Sequence, residues 1–201
     1  MQEYVKPSTR SEWLAYWISN VGSPPMMALA GLIVTATLLP PEGVWRWIAI
    51  YTVCAIGIPM GYLGYLLRHG RISDMDVTRR EQRARPLIVT LSGLVAAELL
   101  FIMGGAPLPF RILASASLAQ AVLVFLITLQ WKISMHTSTA AGMTVLILSV
   151  AGLAAAPVAF SVPLIAWSRI KLRRHTLMQT LAGMCLGIGV FLTAILLATK
   201  S

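Results

Sequence analysis

Charged residues are scarce in this sequence. Only 11% of its 201 residues are Asp, Glu, Lys or Arg, whereas about 25% is typical of soluble domains. This scarcity excludes an ordinary water-soluble globular protein. Cysteine is rare as well: Cys54 and Cys185 both lie within apolar runs, so there is neither a disulfide framework nor a cysteine-based metal motif. The start of the sequence, MQEYVKPSTRSEW, lacks an early apolar core, and a cleaved signal peptide is not expected.

Apolar residues and positive charge dominate instead. Hydrophobic residues make up 57% of the chain and its net charge is +9, with a mean hydropathy of +0.77. These values predict an all-α integral membrane protein, a bundle of six to seven transmembrane helices with an N-terminal interfacial helix. The basic residues lie between apolar stretches and form no separate domain. Membrane lipids or a phosphate-bearing substrate are therefore expected as partners, and nucleic acid is not.

The chain divides into an N-terminal interfacial amphipathic segment, residues 1–21, and a single transmembrane domain, residues 22–201. In the first segment Thr9 and Glu12 have the spacing of a helix capping box, and apolar and aromatic residues follow at helical period. The alternative is that this segment simply extends the first span. The expected spans are about 26–39, 44–67, 87–103, 110–131, a fifth ending near 155, a short sixth ending near 167, and 176–199.

Three polar loops, at about 68–86, 132–138 and 168–175, fall on one side of the membrane because each crossing reverses the side. They form either a site assembled between helix ends or a set of basic loops that only fixes topology. Their excess of Lys and Arg predicts that this side is cytoplasmic, in a multi-pass protein of the cell membrane. A cysteine placed in the first loop is then expected to resist an impermeant thiol reagent in intact cells.

The third loop carries the most specific motif. It contains Ser168-Arg169, five residues, His175, three residues and Gln179. This pattern resembles the third signature of the type 2 phosphatidic acid phosphatase superfamily, S-R-x5-H-x3-D. The resemblance predicts a membrane phosphatase that acts on lipid phosphates.

The other two loops are similar to the remaining signatures of that family. ISMHTSTAAG resembles P-S-G-H-T/S through Ser134 and His136. RREQRARP resembles K-x6-R-P through Arg85-Pro86, and Arg79 or Arg80 stands near the lysine position. The order and spacing of the three motifs agree with the family from about residue 68 to residue 183.

The resemblance implies a reaction that needs no metal or other cofactor. His175 is expected to attack phosphorus and form a phosphohistidine, and His136 to protonate the leaving oxygen and then activate water. Arginine suits the phosphoryl group because its planar fork binds two oxygens at once. The implied phosphate ligands are Arg79 or Arg80, Arg85, Arg169 and backbone amides near Ser134.

The sequence departs from the family at the position that holds the nucleophilic histidine, where Gln179 replaces aspartate. An amide can hydrogen-bond an imidazole but cannot stabilise an imidazolium by charge, so either the activity is weak or another acid has taken the role. We expect Asp74 or Asp76 to reach Nδ1 of His175; the alternative is that these acids neutralise nearby arginines. Met135, in place of the signature glycine, is expected to restrict close approach of the backbone to phosphate.

A site at the membrane surface suits an amphiphile, and the sequence leaves lipid phosphates and isoprenyl phosphates or diphosphates both open. A phospholipid-binding membrane protein without catalytic activity is one alternative. A magnesium-dependent prenyltransferase is another, since Asp74 and Asp76 faintly resemble an aspartate-rich loop, although a second such loop is missing. The sequence does not set the oligomeric state, and a homo-oligomer is compatible with it.

Overall fold

A computed structural model describes residues 7–38 and 43–200, and within them every regular element is helical. The first helix, α1 (Arg10–Val21), begins with the expected capping box: Thr9 Oγ1 accepts from the Glu12 amide, and the Glu12 carboxylate accepts from the Thr9 amide. The helix α2 (Pro24–Thr37) follows at an angle of 52°. Two prolines at its start cannot donate to the preceding turn, so the chain bends there.

Long apolar helices follow α2. A continuous 25-residue helical stretch contains α3 (Val44–Tyr51), a π-helical turn (Thr52–Gly57) and α4 (Ile58–Arg68). Two further helices, α5 (Ala84–Gly104) and α6 (Leu108–Thr128), are joined by a short turn. In the described ranges five helices, or six if α1 and α2 form one bent span, are long and apolar enough to cross a bilayer. The predicted helical, multi-pass membrane architecture is confirmed.

The stretch of residues 135–171 is helical throughout but is not one straight span. It consists of α7 (Met135–Ala151), a 3₁₀ segment (Gly152–Phe160) and α8 (Ser161–Lys171). His136 lies near one end of the stretch and Arg169 near the other, yet His136 Nε2 and Arg169 Nη1 are 3.3 Å apart. The stretch therefore folds back as a hairpin. Gly152, with φ of 68°, starts the reversal, three residues before the predicted end of the fifth span near residue 155.

The last helix, α9 (Leu177–Ala198), packs along α7 at very short range. Gly183 and Gly187 make this possible: a β-carbon at either would collide with the backbone carbonyl oxygen of Ser134 or Ser138. Small residues four apart are a common device for close helix contact in membranes. The apolar core lies around this pair and includes Trp47, Tyr51, Phe101, Phe110, Leu113, Met143 and Phe191.

The loop between α4 and α5, residues 69–83, folds back on the bundle. Ile72 and Val77 pack against Leu66, and Asp74 accepts hydrogen bonds from the amide and hydroxyl of Thr78. Val77 has φ of 45°, a left-handed conformation that is costly for a β-branched residue. The loop is thus held in one defined conformation, which sets the position of Asp76.

Candidate active site

Three separate segments meet at one end of the bundle: the 69–83 loop, the start of α7, and the connection from α8 to α9. The helix directions explain this meeting. α7 starts at this end, the hairpin returns at the end of α8, and α9 starts beside it. The predicted convergence of the three motif loops is therefore present, with His136, Arg169 and His175 all buried to about 95% or more.

Asp76 is the centre of the charged contacts. Its Oδ2 atom accepts from Nη1 of Arg169 and from Nη1 of Arg174, each at 3.0 Å. Its Oδ1 atom lies 3.9 Å from Nε2 of His136. Burial raises the pKa of Asp76, but the nearby Arg169, His136 and Arg174 more than compensate, and the pKa falls well below its usual range. The carboxylate is therefore ionised at neutral pH.

The end of α8 turns the chain back on itself. The Arg174 amide donates to the Arg169 carbonyl oxygen at 2.9 Å and the Arg173 amide to that of Ile170 at 2.9 Å, the hydrogen bonds of a Schellman cap. Arg173 has φ of 53° at the position where glycine is usual. The His175 amide also donates to the Arg169 carbonyl oxygen, at 3.2 Å. This cap is what holds Arg174 and His175 over Arg169.

Gln179 holds the ring of His175. Its Oε1 atom lies 3.1 Å from Nδ1 of His175 and also accepts from the Thr176 amide at 3.2 Å. An amide oxygen can only accept, so Nδ1 carries the proton and Nε2 keeps its lone pair. The expectation that Asp74 or Asp76 reaches His175 Nδ1 is wrong, because Gln179 takes that place and both acids pair with Arg174.

Burial and the nearby positive charges keep the His175 imidazole neutral. Burial, followed by the positive charges of Arg169, Arg83 and Lys132, lowers its pKa to about 2. Burial and the same kind of repulsion lower the pKa of Lys132 to about 8, and burial lowers that of Arg83 to about 10. At neutral pH the site therefore combines an uncharged imidazole with several cations.

The first loop turns inward an arginine that was not among the predicted phosphate ligands. Arg83 is buried, donating from Nε to the Val77 carbonyl oxygen and from Nη1 to that of Ile133. Arg79 and Arg85 are exposed, and Arg80 donates to the carbonyl oxygens of Leu129 and Gln130. The motif alignment selected the arginine beside proline, whereas the fold of the loop turns the residue two places earlier inward.

The start of α7 fits the expectation in part. Ser134 is the N-cap, and its hydroxyl accepts from the Thr137 amide. Its own amide, however, donates to the Gln179 carbonyl oxygen at 3.2 Å. Ser134 therefore supports the site by joining α7 to α9, and the amides that follow it, at Met135 and His136, are those at the positive end of the helix dipole.

The sequence showed no sign of Ser19 and assigned no role to Arg174. Ser19, at the end of α1, accepts from Nη1 of Arg169 at 2.7 Å, so the N-terminal helix is part of the site. Arg174 donates to Thr78 Oγ1 at 2.7 Å as well as to Asp76. No local pattern marks Ser19, which is separated from Arg169 by 150 residues; Arg174 stood inside a motif, but at a position that the signature leaves open.

A cavity of about 320 Å³ extends from the site into the bundle. Asp76, Arg83 and His136 line it at the charged end, and mostly apolar side chains from α2 to α7 line the rest. The π-helical turn contributes Ala55 and Ile56. Irregular helical turns of this kind occur frequently at functional sites in membrane and soluble proteins.

The fold and the site define a multi-pass helical membrane protein with a buried histidine–arginine–aspartate cluster at one end of an apolar cavity. Comparison of the chain with protein-family models, with characterised proteins and with solved structures finds no match. The geometry of this cluster and the motifs that form it are therefore the basis for a functional proposal.

Proposed function

We propose that this protein is a membrane-embedded phosphatase that hydrolyses a lipid or isoprenyl phosphate or diphosphate through a phosphohistidine. The observation that carries the proposal is the meeting of both motif histidines with Arg169. His136 Nε2 lies 3.3 Å from Arg169 Nη1, and the His175 amide donates to the Arg169 backbone. The same residues carry the resemblance to the type 2 phosphatidic acid phosphatase superfamily.

In the first step Nε2 of His175 attacks phosphorus and forms a P–N bond, while the bond from phosphorus to the leaving oxygen breaks. In the resting site His136 Nε2 accepts from Arg169 Nη1 at 3.3 Å. When Arg169 turns to the phosphoryl group, His136 takes a proton from solvent at this nitrogen and gives it to the leaving oxygen, and the lipid alcohol departs. A neutral imidazole is required for attack, and the low pKa of His175 provides it at physiological pH. Arg169, Arg174 and Arg83 offset the negative charge that the phosphoryl group spreads over its oxygens.

In the second step water attacks the phosphohistidine. The neutral His136 now accepts a proton from the water, the P–N bond breaks, and inorganic phosphate leaves with His175 restored. The Asp76 carboxylate lies 3.9 Å from His136 Nε2, and its negative charge offsets part of the repulsion that Arg169 exerts on a protonated ring. His136 thus mediates both proton transfers at the reacting oxygens.

Phosphate binding requires one rearrangement. Asp76 now occupies the arginine donors that a phosphoryl oxygen would use. A substrate dianion carries more charge than the carboxylate and can take its place. Nε of Arg169 is buried and has no hydrogen-bond partner among residues 7–38 and 43–200, so this guanidinium has a donor left for a phosphoryl oxygen.

The test is phosphate release in detergent with a chelator present, from a panel of phosphatidate, lysophosphatidate and isoprenyl phosphates. Wild-type protein is expected to release phosphate, and His175→Ala to lose at least 1,000-fold in kcat, as removal of a nucleophile does. His69→Ala is the matched control because His69 is exposed and its ring contacts that of Tyr65, at 4.2 Å between centroids. Equal rates for His175→Ala and the wild type would refute the proposal.

A second candidate function is phospholipid binding without turnover. Two observations favour it: Gln179 replaces a carboxylate at the nucleophile, and Asp76 fills the arginine pair. Such a protein would bind lipid phosphates in the same assay and release no phosphate. A prenyltransferase would instead require magnesium. The cytoplasmic orientation of the site, inferred from loop charges, stays a prediction.

A further inference from the structure

The cavity beneath the charged cluster has the dimensions of a single hydrocarbon chain. Its depth follows from the helices that line it. Pro86 and Leu94 of α5 both face the cavity. They are eight residues apart, which corresponds to about 12 Å at the rise of an α-helix. Ser117 and Val124 line it over about 10 Å of α6, and Tyr51 and Leu63 line it over about 18 Å of the stretch that contains α3 and α4.

The volume of the cavity and its depth both correspond to a single hydrocarbon chain. A volume of about 320 Å³ holds about ten methylene-sized groups if each takes the roughly 30 Å³ of a water molecule. An extended chain advances about 1.2 Å per backbone atom, so lining lengths of about 10 to 18 Å take about nine to fifteen atoms in single file, a range that includes this number. Two chains side by side would fill only half of the depth. The cavity is therefore filled by one chain.

The lining suits an aliphatic occupant that ends inside the bundle. Ala28, Ala55, Leu63, Leu94 and Ala121 present apolar surface. Two polar groups in the lining have partners: the Tyr51 hydroxyl bonds Ser117 Oγ at 2.9 Å, and Gln120 Nε2 donates to Thr139 at 3.3 Å. The Oε1 atom of Gln120 is buried and has no hydrogen-bond partner among the described residues. A methyl end that meets the two paired groups leaves their hydrogen bonds in place.

We infer that the substrate is a single-chain amphiphilic phosphate whose first ten or so carbon atoms enter this cavity while its phosphate meets Arg169 and His175. The inference rests on the proposed function and narrows it, because it excludes diacyl phosphatidate as the preferred substrate. In a diacyl lipid the second chain would have to remain outside, and its glycerol backbone would be drawn away from the cavity entrance.

Binding of non-hydrolysable n-alkyl phosphonates of four to sixteen carbons tests the inference without relying on turnover. Affinity, measured by thermal shift or calorimetry in one fixed detergent, is expected to rise about threefold to fourfold per methylene and to level off near ten to twelve carbons. Ala121→Leu fills part of the cavity and is expected to move this limit two to three carbons shorter, with a loss of at least tenfold for the twelve-carbon ligand.

Ala119→Leu is the matched control, since Ala119 lies on the same helix but is exposed and does not line this cavity. Ala55→Leu is a second cavity-filling variant, and retained binding of the four-carbon ligand shows that each variant is folded. A chain-length limit that is identical in Ala121→Leu, Ala55→Leu and the wild type overturns the inference. Absence of phosphate release with normal, length-limited binding would instead count against the phosphatase proposal alone.

Discussion

Gln179 Oε1 lies 3.1 Å from Nδ1 of His175, one helical turn away in sequence. The same oxygen accepts from the Thr176 amide, and Thr176 in turn caps the Gln179 amide. The side chain that orients the proposed nucleophile is thus part of the N-terminal cap of α9. Gln179 therefore orients the His175 ring as the signature aspartate would. Only the negative charge of that aspartate is missing.

This relationship makes Gln179→Glu the most informative change at the nucleophile. Glu has the same length and can keep both the cap and the contact with His175, while its charge stabilises the imidazolium-like phosphohistidine. We expect kcat to rise about tenfold, a fraction of the roughly 10⁴-fold that a triad carboxylate contributes elsewhere. Gln179→Ala should lower kcat by at least tenfold. Steady-state measurement of kcat for both variants tests this prediction. A lower kcat for Gln179→Glu than for Gln179→Ala would contradict it.

Lys132 gives the site a pH dependence. Its pKa of about 8 means that its ammonium is charged at pH 7 and neutral by pH 9.5, whereas the substrate phosphate is a dianion throughout. We expect KM to rise about threefold to tenfold over this range as a cation near the phosphate is lost. Lys132→Arg, which stays charged, should keep KM flat. Identical pH profiles for the two proteins would show that Lys132 does not contact the phosphate.

Substitutions of Arg173 test the Schellman cap that positions His175. Its φ of 53° is unfavourable for a residue with a β-carbon, and its side chain is exposed. We expect Arg173→Gly to be more stable than Arg173→Ala by about 1 kcal/mol, measured by thermal unfolding in detergent. Both variants lack the guanidinium, so their difference isolates the backbone. Loss of activity in both would place Arg173 among the phosphate ligands, against its exposed position.

Gly183 tests whether the contact between α7 and α9 sets the distance between the two histidines. A β-carbon there would collide with the Ser134 carbonyl oxygen and Thr137 Oγ1. We expect Gly183→Ala to cost about 1–3 kcal/mol of stability and to lower phosphate release. Gly189→Ala on the same helix is the control, because its β-carbon would enter open space. An unchanged rate of phosphate release in a destabilised Gly183→Ala variant would show that the contact between α7 and α9 does not set the distance between the two histidines.

Much of this architecture follows from sequence pattern. Apolar length predicts the spans, the spacing of Thr9 and Glu12 predicts the cap of α1, and the predicted end of the fifth span near residue 155 lies within the 3₁₀ segment Gly152–Phe160. These features depend on local chemistry. The side on which the three polar loops gather also follows from counting spans, and the structure brings His136 and His175 to that end.

The details of the site do not follow from pattern, because they depend on how the 69–83 loop folds. The left-handed turn at Val77 and the hydrogen bonds of Asp74 turn Arg83 inward and leave Arg85 exposed, which no motif spacing encodes. For the same reason the sequence predicted His175 as the partner of Asp76, whereas Asp76 pairs with Arg169 and Arg174. Ser19 reaches Arg169 only through the packing of α1 against α8, a contact between residues that are 150 positions apart in the sequence.

Trapping of the covalent intermediate tests the central claim most directly. Wild-type protein, mixed briefly with a ³²P-labelled lipid phosphate and quenched in base under denaturing conditions, is expected to retain acid-labile label on a peptide that contains His175. His136→Ala should retain it longer, since the step that activates water is impaired, and His175→Ala should retain none. Phosphate release by the wild type with no label on His175, or equal labelling of the His175→Ala variant, would contradict the account.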